Sequence, residues 1–318
     1  MQAETLHRYR TRAKNFYREH IGTDTPTSAQ ICAALVAVAA DYLPNSFRTL
    51  KNALLHDQKA RGHVEASHDI QALINPMTAP DAGHPRRHKP KRIKAVPKAD
   101  FLKLKDHLKA HGRLDEFAAT VLARYLGARP CEMRSITVQE NVVHIIGGKK
   151  TITGDRGADR DLVIEHPDLL RLIEWASQRL ARCERSDAAI RDRLRLECRK
   201  LWPRRKLHPT LYSFRHQLGA DLKASGESPE TLAYLMGHQS VESIAVYGDR
   251  RAGTTQRIHV KPASNADLSK IRRPRQPPRF GRERPIEEIR FPLALGNHWM
   301  GRMQAVVARR GRPDSQGL

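Results

Sequence analysis

Cysteine is scarce: Cys32, Cys131, Cys183 and Cys198 are the only four in 318 residues, and no two of them form a CxxC pair. That distribution excludes a disulfide framework and offers no zinc knuckle, so reduced thiols are expected. The 16 histidines are spread out, with no HExxH or paired-ligand spacing, and neither a metal nor another cofactor is implied. Long apolar runs are missing as well. No stretch approaches the roughly 18 apolar residues that would span a bilayer, and Met1 to His20 is too polar and charged for a secretory signal. A soluble cytoplasmic protein with no membrane partner is expected.

Negative charge is also in short supply, with 34 acidic residues against 57 Lys and Arg, giving a formal net charge of +23. A surplus of that size selects polyanionic partners through phosphate neutralisation and counterion release, and nucleic acid leads among them. The hydrophobic fraction of 39% supports folded cores. The length suits two domains at about 150 residues each.

Residues 1–77 read as a small helical unit. Gln2 to Ile21 alternates Arg8, Arg10, Arg12, Lys14 and Arg18 with Leu6, Tyr9, Phe16 and Tyr17, a basic amphipathic pattern. A buried helix is expected from Ser28 to Tyr42. Leu43-Pro44-Asn45-Ser46 then breaks the pattern, and Ser46 caps a helix to about Gln58 that carries Arg48 and Lys51; a shorter helix follows near His68 to Leu73. Residues 78–98 mix prolines with Arg86, Arg87, Lys89, Lys91 and Arg92, a linker of one charge sign. Extended, about 20 such residues span some 60 Å, enough to let two domains grip opposite sides of a duplex. Arg8, Arg12, Arg48, Lys51 and the linker cations are the candidate DNA contacts.

The second domain, residues 99–260, is expected to be mainly helical with a small antiparallel sheet, an α+β arrangement. Helices are predicted near Phe101 to His111, Leu114 to Leu126, Leu169 to Leu180 and Ser186 to Leu201. Asn141 to Ile146 and Asp161 to Ile164 read as strands around a turn region from Gly147 to Gly157. Residues 261–318 form a basic tail, partly disordered or docking on a neighbouring protomer.

Four local patterns in this domain carry chemistry. In Gly127-Ala128-Arg129-Pro130-Cys131-Glu132, Gly127 ends one helix and Pro130 opens the next, which sets Arg129 at a helix N-terminus, where anions bind. Gly147-Gly148-Lys149-Lys150-Thr151 sets ammonium groups on a hairpin turn. Leu211-Tyr212-Ser213-Phe214-Arg215-His216 enters a helix running through Leu222, with Tyr212 and Arg215 three apart on one face. Finally, Ser228 and Pro229 start a helix that Gly237 stops before His238; Ser240 is expected to cap a short helix with Tyr247 at its last turn. Taken singly, each pattern also fits a solvated turn. The last also has the shape of a helix-turn-helix DNA reader.

In order, these residues resemble the tyrosine recombinase (phage integrase) family: an Arg with Glu three residues on, a hairpin lysine, a His-x-x-Arg box, and a Leu-Gly-His followed nine residues later by tyrosine. The likeness is clear from about Phe101 to Arg250, and the helical N-terminal region is similar more loosely to that family's DNA core-binding domain. It implies that Arg129 and Arg215 clamp a phosphate, Glu132 orients Arg129, Lys150 (with Lys149 competing) protonates the leaving oxygen, His238 assists, and Tyr247 attacks phosphorus. It further implies double-stranded DNA as partner, a homotetramer on two DNA sites with accessory proteins open, and a mobile element's integrase in a bacterial nucleoid. One position departs: Tyr212 stands where the family has histidine, and a phenol donates a hydrogen bond but is no base at neutral pH. His208 is too far from Arg215 in sequence to replace it. A type IB topoisomerase-like nicking-closing enzyme and a non-catalytic helix-turn-helix regulator stay open at this point.

Overall fold

A computed structural model describes residues 3–79, 91–148, 157–254 and 259–273. Arg86, Arg87, Lys89, Lys149, Lys150 and the basic stretch after residue 273 lie outside the described residues. The chain divides into two compact units, Met1–Leu104 with Asp192–Ser213, and Lys105–Arg191 with Phe214–Leu318.

The first unit begins with helices α1 (Ala3–His20), α2 (Ser28–Ala37), α3 (Pro44–Ala60) and α4 (Val64–Ala72). One stripe of each turns inward, and Phe16, Tyr17, Ile31, Leu35, Phe47, Leu50, Leu54 and Ile70 make a shared core. Thr27 closes a capping box on Gln30 at the start of α2. Two expectations need correcting. The second helix stops at Ala37, after which Ala39–Asp41 continues only as a 3-10 turn. The third helix begins at Pro44, ahead of the expected cap at Ser46, because the proline ring supplies the helical φ and its missing N–H would have been an orphan there; Leu43 is the N-cap, so Ser46 lies inside the helix.

The second unit is where the sheet lies. Strands β1 (Thr137–Gln139), β2 (Val142–Ile145), β3 (Arg160–Ile164) and β4 (Val260–Pro262) pair antiparallel in that order. Register is fixed by pairs such as Val143 with Leu162 and Val163 with Lys261. Only β2 and β3 were legible beforehand. β4 takes residues expected in a tail into the sheet, and Pro262 is tolerated because β4 is an edge strand.

The remaining helices are α5 (Lys98–Ala110), α6 (Leu114–Tyr125), α7 (Pro167–Ala181), α8 (Asp187–Leu201), α9 (Leu211–Ala224), α10 (Pro229–Leu235) and α11 (Glu242–Ala245), of which α7 and α10 pack against the sheet. α5, α8 and α9 each cross a boundary between the units. Phe117, Val121 and Leu122 of α6 and Ile173, Ala176 and Leu180 of α7 are buried where these two helices pack together. The fold is mainly helical with one small antiparallel sheet, as the residue patterns predict.

Candidate active site

Arg129 is placed by its neighbours on both sides. Pro130 excludes the helical region for the residue before it, and Arg129 accordingly sits extended at the N-cap of a 3-10 helix, Pro130–Ser135. Three residues on, Glu132 turns back: one carboxylate oxygen accepts the Arg129 backbone N–H at 3.0 Å, the other the Arg129 Nη1 at 2.5 Å. The same carboxylate also accepts Gly148 N–H at 3.3 Å and Arg160 Nη2 at 3.1 Å. Glu132 therefore ties together the turn after α6, the end of the β2 hairpin arm and the start of β3.

Arg215 enters from α9. Its Nη1 donates to the Gly127 carbonyl and its Nη2 to the Met236 carbonyl, with His238 Nε2 3.1 Å from the same Nη2. The turn that carries His238 has a clear local cause. Ser228 caps α10 by accepting Thr231 N–H, and α10 ends in a Schellman motif: Gly237 N–H reaches Tyr234 O and His238 N–H reaches Ala233 O. Gly237 has φ +61, and an added Cβ would lie 2.5 Å from Arg160 Nη1, so no larger residue fits there.

Tyr247 lies two residues past α11, not in its last turn. Val241, without a side-chain bond, is the N-cap of this four-residue helix, while Ser240 Oγ accepts Glu242 N–H at 3.3 Å. The phenol ring stacks on His216 at 4.9 Å and meets His238 at 4.9 Å, with the Arg215 guanidinium 5.0 Å from its centroid. Gly248 locks the turn: its φ is +62, a Cβ there would stand 2.3 Å from Ala220 N, and its N–H donates to His216 Nδ1 at 3.3 Å.

Thus Arg129, Glu132, Arg215, His238 and Tyr247 gather in the second unit. Arg160, which belongs to none of the four sequence patterns, joins them. Arg160 shares the inward face of β3 with buried Leu162 and Ile164, at period two. Tyr212, one turn before Arg215 on α9, is 42% exposed, whereas Arg215 is 1% exposed. His208 Nε2 lies 3.0 Å from the Trp202 carbonyl.

The electrostatics follow from burial. Three guanidinium groups, Arg129, Arg160 and Arg215, surround the single carboxylate of Glu132, and all four side chains are buried. Burial alone would raise the Glu132 carboxyl, but Arg160 and Arg129 outweigh it and hold it at about 2. Burial, then Arg129 and Arg160, push Arg215 down to about 10, still cationic at neutral pH. Burial and the charges of Arg215, Arg129 and Arg160 push His238 down to about 3. His238 is accordingly neutral, and with Nε2 accepting from Arg215 its proton sits on Nδ1.

This depression sets a pH dependence. Below pH 6.5 an unfolded chain protonates this histidine while the folded chain refuses the proton, so stability present above 6.5 is lost as pH falls towards 3. The slope contributed approaches about 1.4 kcal/mol per pH unit. Urea unfolding of wild type and His238→Asn between pH 7 and 5 should show a shallower fall for the variant; parallel curves would refute it.

Among the DNA-contact candidates of the first unit, Arg8 and Arg12 on α1 line a groove of about 920 Å³ with His7, Asn15, Asn45 and Thr49. Arg8 also pairs with Glu4 at 2.5 Å. Arg48 is exposed on α3. Lys51 gives hydrogen bonds to the Gln71 and Leu73 carbonyls, closing the end of α4, so most of its donors already serve the fold. Lys91 and Arg92 are exposed. No group of three or more metal-ligating side chains is found among the described residues.

No protein-family model matches the chain, and no curated protein matches it by sequence. Solved structures do. A lambda integrase dimer bound to a COC' core site superposes with a TM-score of 0.56 at 17% identity, covering 81% of this chain and 75% of that one. A lambda integrase tetramer bound to a Holliday junction gives 0.54 at 17% identity with the same coverage. The Tn1549 transposon integrase in complex with transposon right end DNA gives 0.51 at 12% identity, over 81% of this chain and 91% of that one. At such identities the likeness is one of architecture: this chain has the fold of those integrases.

Proposed function

We propose that the protein is a site-specific DNA recombinase, an integrase of a mobile element, that cuts and rejoins strands through a 3′-phosphotyrosyl intermediate. The observation that carries this reading is a buried, uncompensated excess of guanidinium charge against which the ring of Tyr247 is laid. A phosphodiester is the anion such a pocket suits. Arginine stays protonated and pairs bidentately with phosphate, and preorganised donors of this kind contribute several kcal/mol to a transition state.

In this reading Tyr247 Oη forms a bond to phosphorus as the bond to the 5′ oxygen breaks, and the phenol proton is lost to solvent. Arg129 and Arg215 neutralise the charge that builds on the non-bridging oxygens. Lys150 protonates the leaving 5′ oxygen, with Lys149 the competing donor, a role worth about 10² to 10⁴ in rate. His238, neutral, donates from Nδ1 instead of acting as an acid. The phosphotyrosyl link conserves the bond energy, so a 5′ hydroxyl reseals the strand with no nucleotide cofactor.

Residues 1–77 would grip DNA through the Arg8 and Arg12 groove and Arg48, and the basic linker would follow the backbone to the catalytic domain of residues 99–260. Solved neighbours are bound to DNA, one as a tetramer on a Holliday junction, which supports a DNA-bound oligomer; in this reading it is a tetramer on two DNA sites. The helix-turn-helix regulator reading fares worse, because α11 has four residues, too short to read a groove, and a reader needs no buried arginine cluster.

The test is covalent trapping. Incubation with a nicked suicide duplex carrying the cognate site, followed by proteolysis and mass mapping, should place a nucleotide adduct on the peptide containing Tyr247. An adduct elsewhere, or none on any element-end duplex, refutes the reading.

A further inference from the structure

Arg160 is, with Arg215, among the largest fully buried side chains of the described residues, and the fold goes to some cost to hold it. Taking a guanidinium out of water costs several kcal/mol, offset only by good partners. Here the offset is incomplete: Nη2 meets Glu132 at 3.1 Å, while Nη1 and Nε have no hydrogen-bond partner among the described residues. A leucine or methionine at the head of β3 would avoid that cost and fill the same space. Two further features show what the arginine is set against. Its carboxylate partner is the one that grips Arg129 through both backbone and side chain. Its Nη1 lies under Gly237, where a Cβ would come within 2.5 Å, so the residue before His238 is glycine partly to make room for it.

We propose that Arg160 is a positioning residue for the phosphate clamp: it holds Glu132 in the orientation that aims Arg129, and it supports the Gly237 turn that aims His238. It acts through those groups and does not touch the phosphate. The inference rests on the recombinase reading above and adds to it a side chain on the sheet, outside the four motifs that suggested the reading.

Arg160→Met keeps an unbranched apolar stem and removes the charge and donors; Arg160→Lys keeps the charge and an ammonium donor for Glu132. Thermal unfolding first establishes that each variant is folded. Duplex affinity and single-turnover cleavage on the suicide duplex are then measured separately. The Met variant should bind duplex as wild type does but cleave about 10²-fold more slowly, the cost of aiming a reacting group about 1 Å wrong. The Lys variant should recover most of that rate. If the Met variant does not fold, Arg160→Gln, which keeps an amide N–H for Glu132, takes its place with the same expected loss.

A folded Met or Gln variant that cleaves at the wild-type rate would overturn the proposal. So would a loss of affinity that accounts for all of the loss in rate, or a Lys variant as slow as the Met variant. Wild type that forms no adduct would instead remove the recombinase reading, so the two failures are distinguishable.

Discussion

Tyr247→Phe should bind the same duplex with undiminished affinity and form no SDS-stable adduct. The substitution removes one oxygen and keeps the ring. The packing of that ring is what the fold uses: stacking on His216, the tilted contact with His238 and the Arg215 guanidinium all involve the aromatic ring and not its hydroxyl. Thermal stability should therefore stay close to that of wild type. Chemistry, by contrast, loses its nucleophile, and deletion of a covalent nucleophile typically lowers turnover by roughly 10⁴ or more. Denaturing gels of trapped reactions measure the adduct, and fluorescence anisotropy measures binding. An adduct of wild-type yield in the variant would mean that another side chain attacks.

Glu132→Gln should be the most destabilising single-atom exchange in the second unit. The carboxylate accepts four hydrogen bonds, three of them from Arg129 and Arg160. An amide in the same place turns an N–H toward one of those donors and leaves three guanidinium groups facing one another without a counterion. Removing one partner of a buried ion pair costs about 3–5 kcal/mol.

The carboxyl pKa gives an independent figure. A shift from 4.5 to about 2 corresponds to about 3 kcal/mol of preference for the ionised form in the folded state. Because the folded value is the lower one, that stability is complete above pH 4.5 and is lost as pH falls toward 2. The variant should melt roughly 10 °C lower at pH 7, and its stability should change less than that of wild type between pH 4.5 and 3. A melting temperature equal to that of wild type would show that the arginines find other support.

Sequence patterns located most helices within a few residues, because their apolar stripes repeat at helical spacing over ten or more positions. β1 and β4 were missed for a physical reason. Each is three residues long, too short for an alternation to register, and two of the three residues of β4 are lysine and proline, which suit an edge strand. The expected cap at Ser240 failed differently: a serine two residues before a four-residue helix made a local turn bond, and helices that short owe little to capping.

In the site, Arg129, His238 and Tyr247 were readable because each sits beside a glycine or a proline that fixes the backbone, and Arg215 because it follows the start of α9 by one turn. Arg160 was not, since Ala158-Asp159-Arg160-Asp161 reads as a charged hairpin arm exposed to water. Only the burial of its strand neighbours Leu162 and Ile164 reveals that its side chain points inward. Conversely, Lys51 looked like a free surface cation, and its two carbonyl partners, about 20 residues away in the chain, were invisible without the fold.

Arg272 returns to the neighbourhood of His238: its N–H donates to the Gln239 carbonyl at 2.9 Å, and its own carbonyl accepts Val241 N–H at 3.1 Å. A short parallel bridge between Ser240 and Arg272 thus fastens the far end of the described chain to the loop that follows His238. A fluorophore or fusion joined just beyond residue 273 would be leashed at the rim of the arginine pocket, where it could report on that loop while the N-terminal helices stay unmodified.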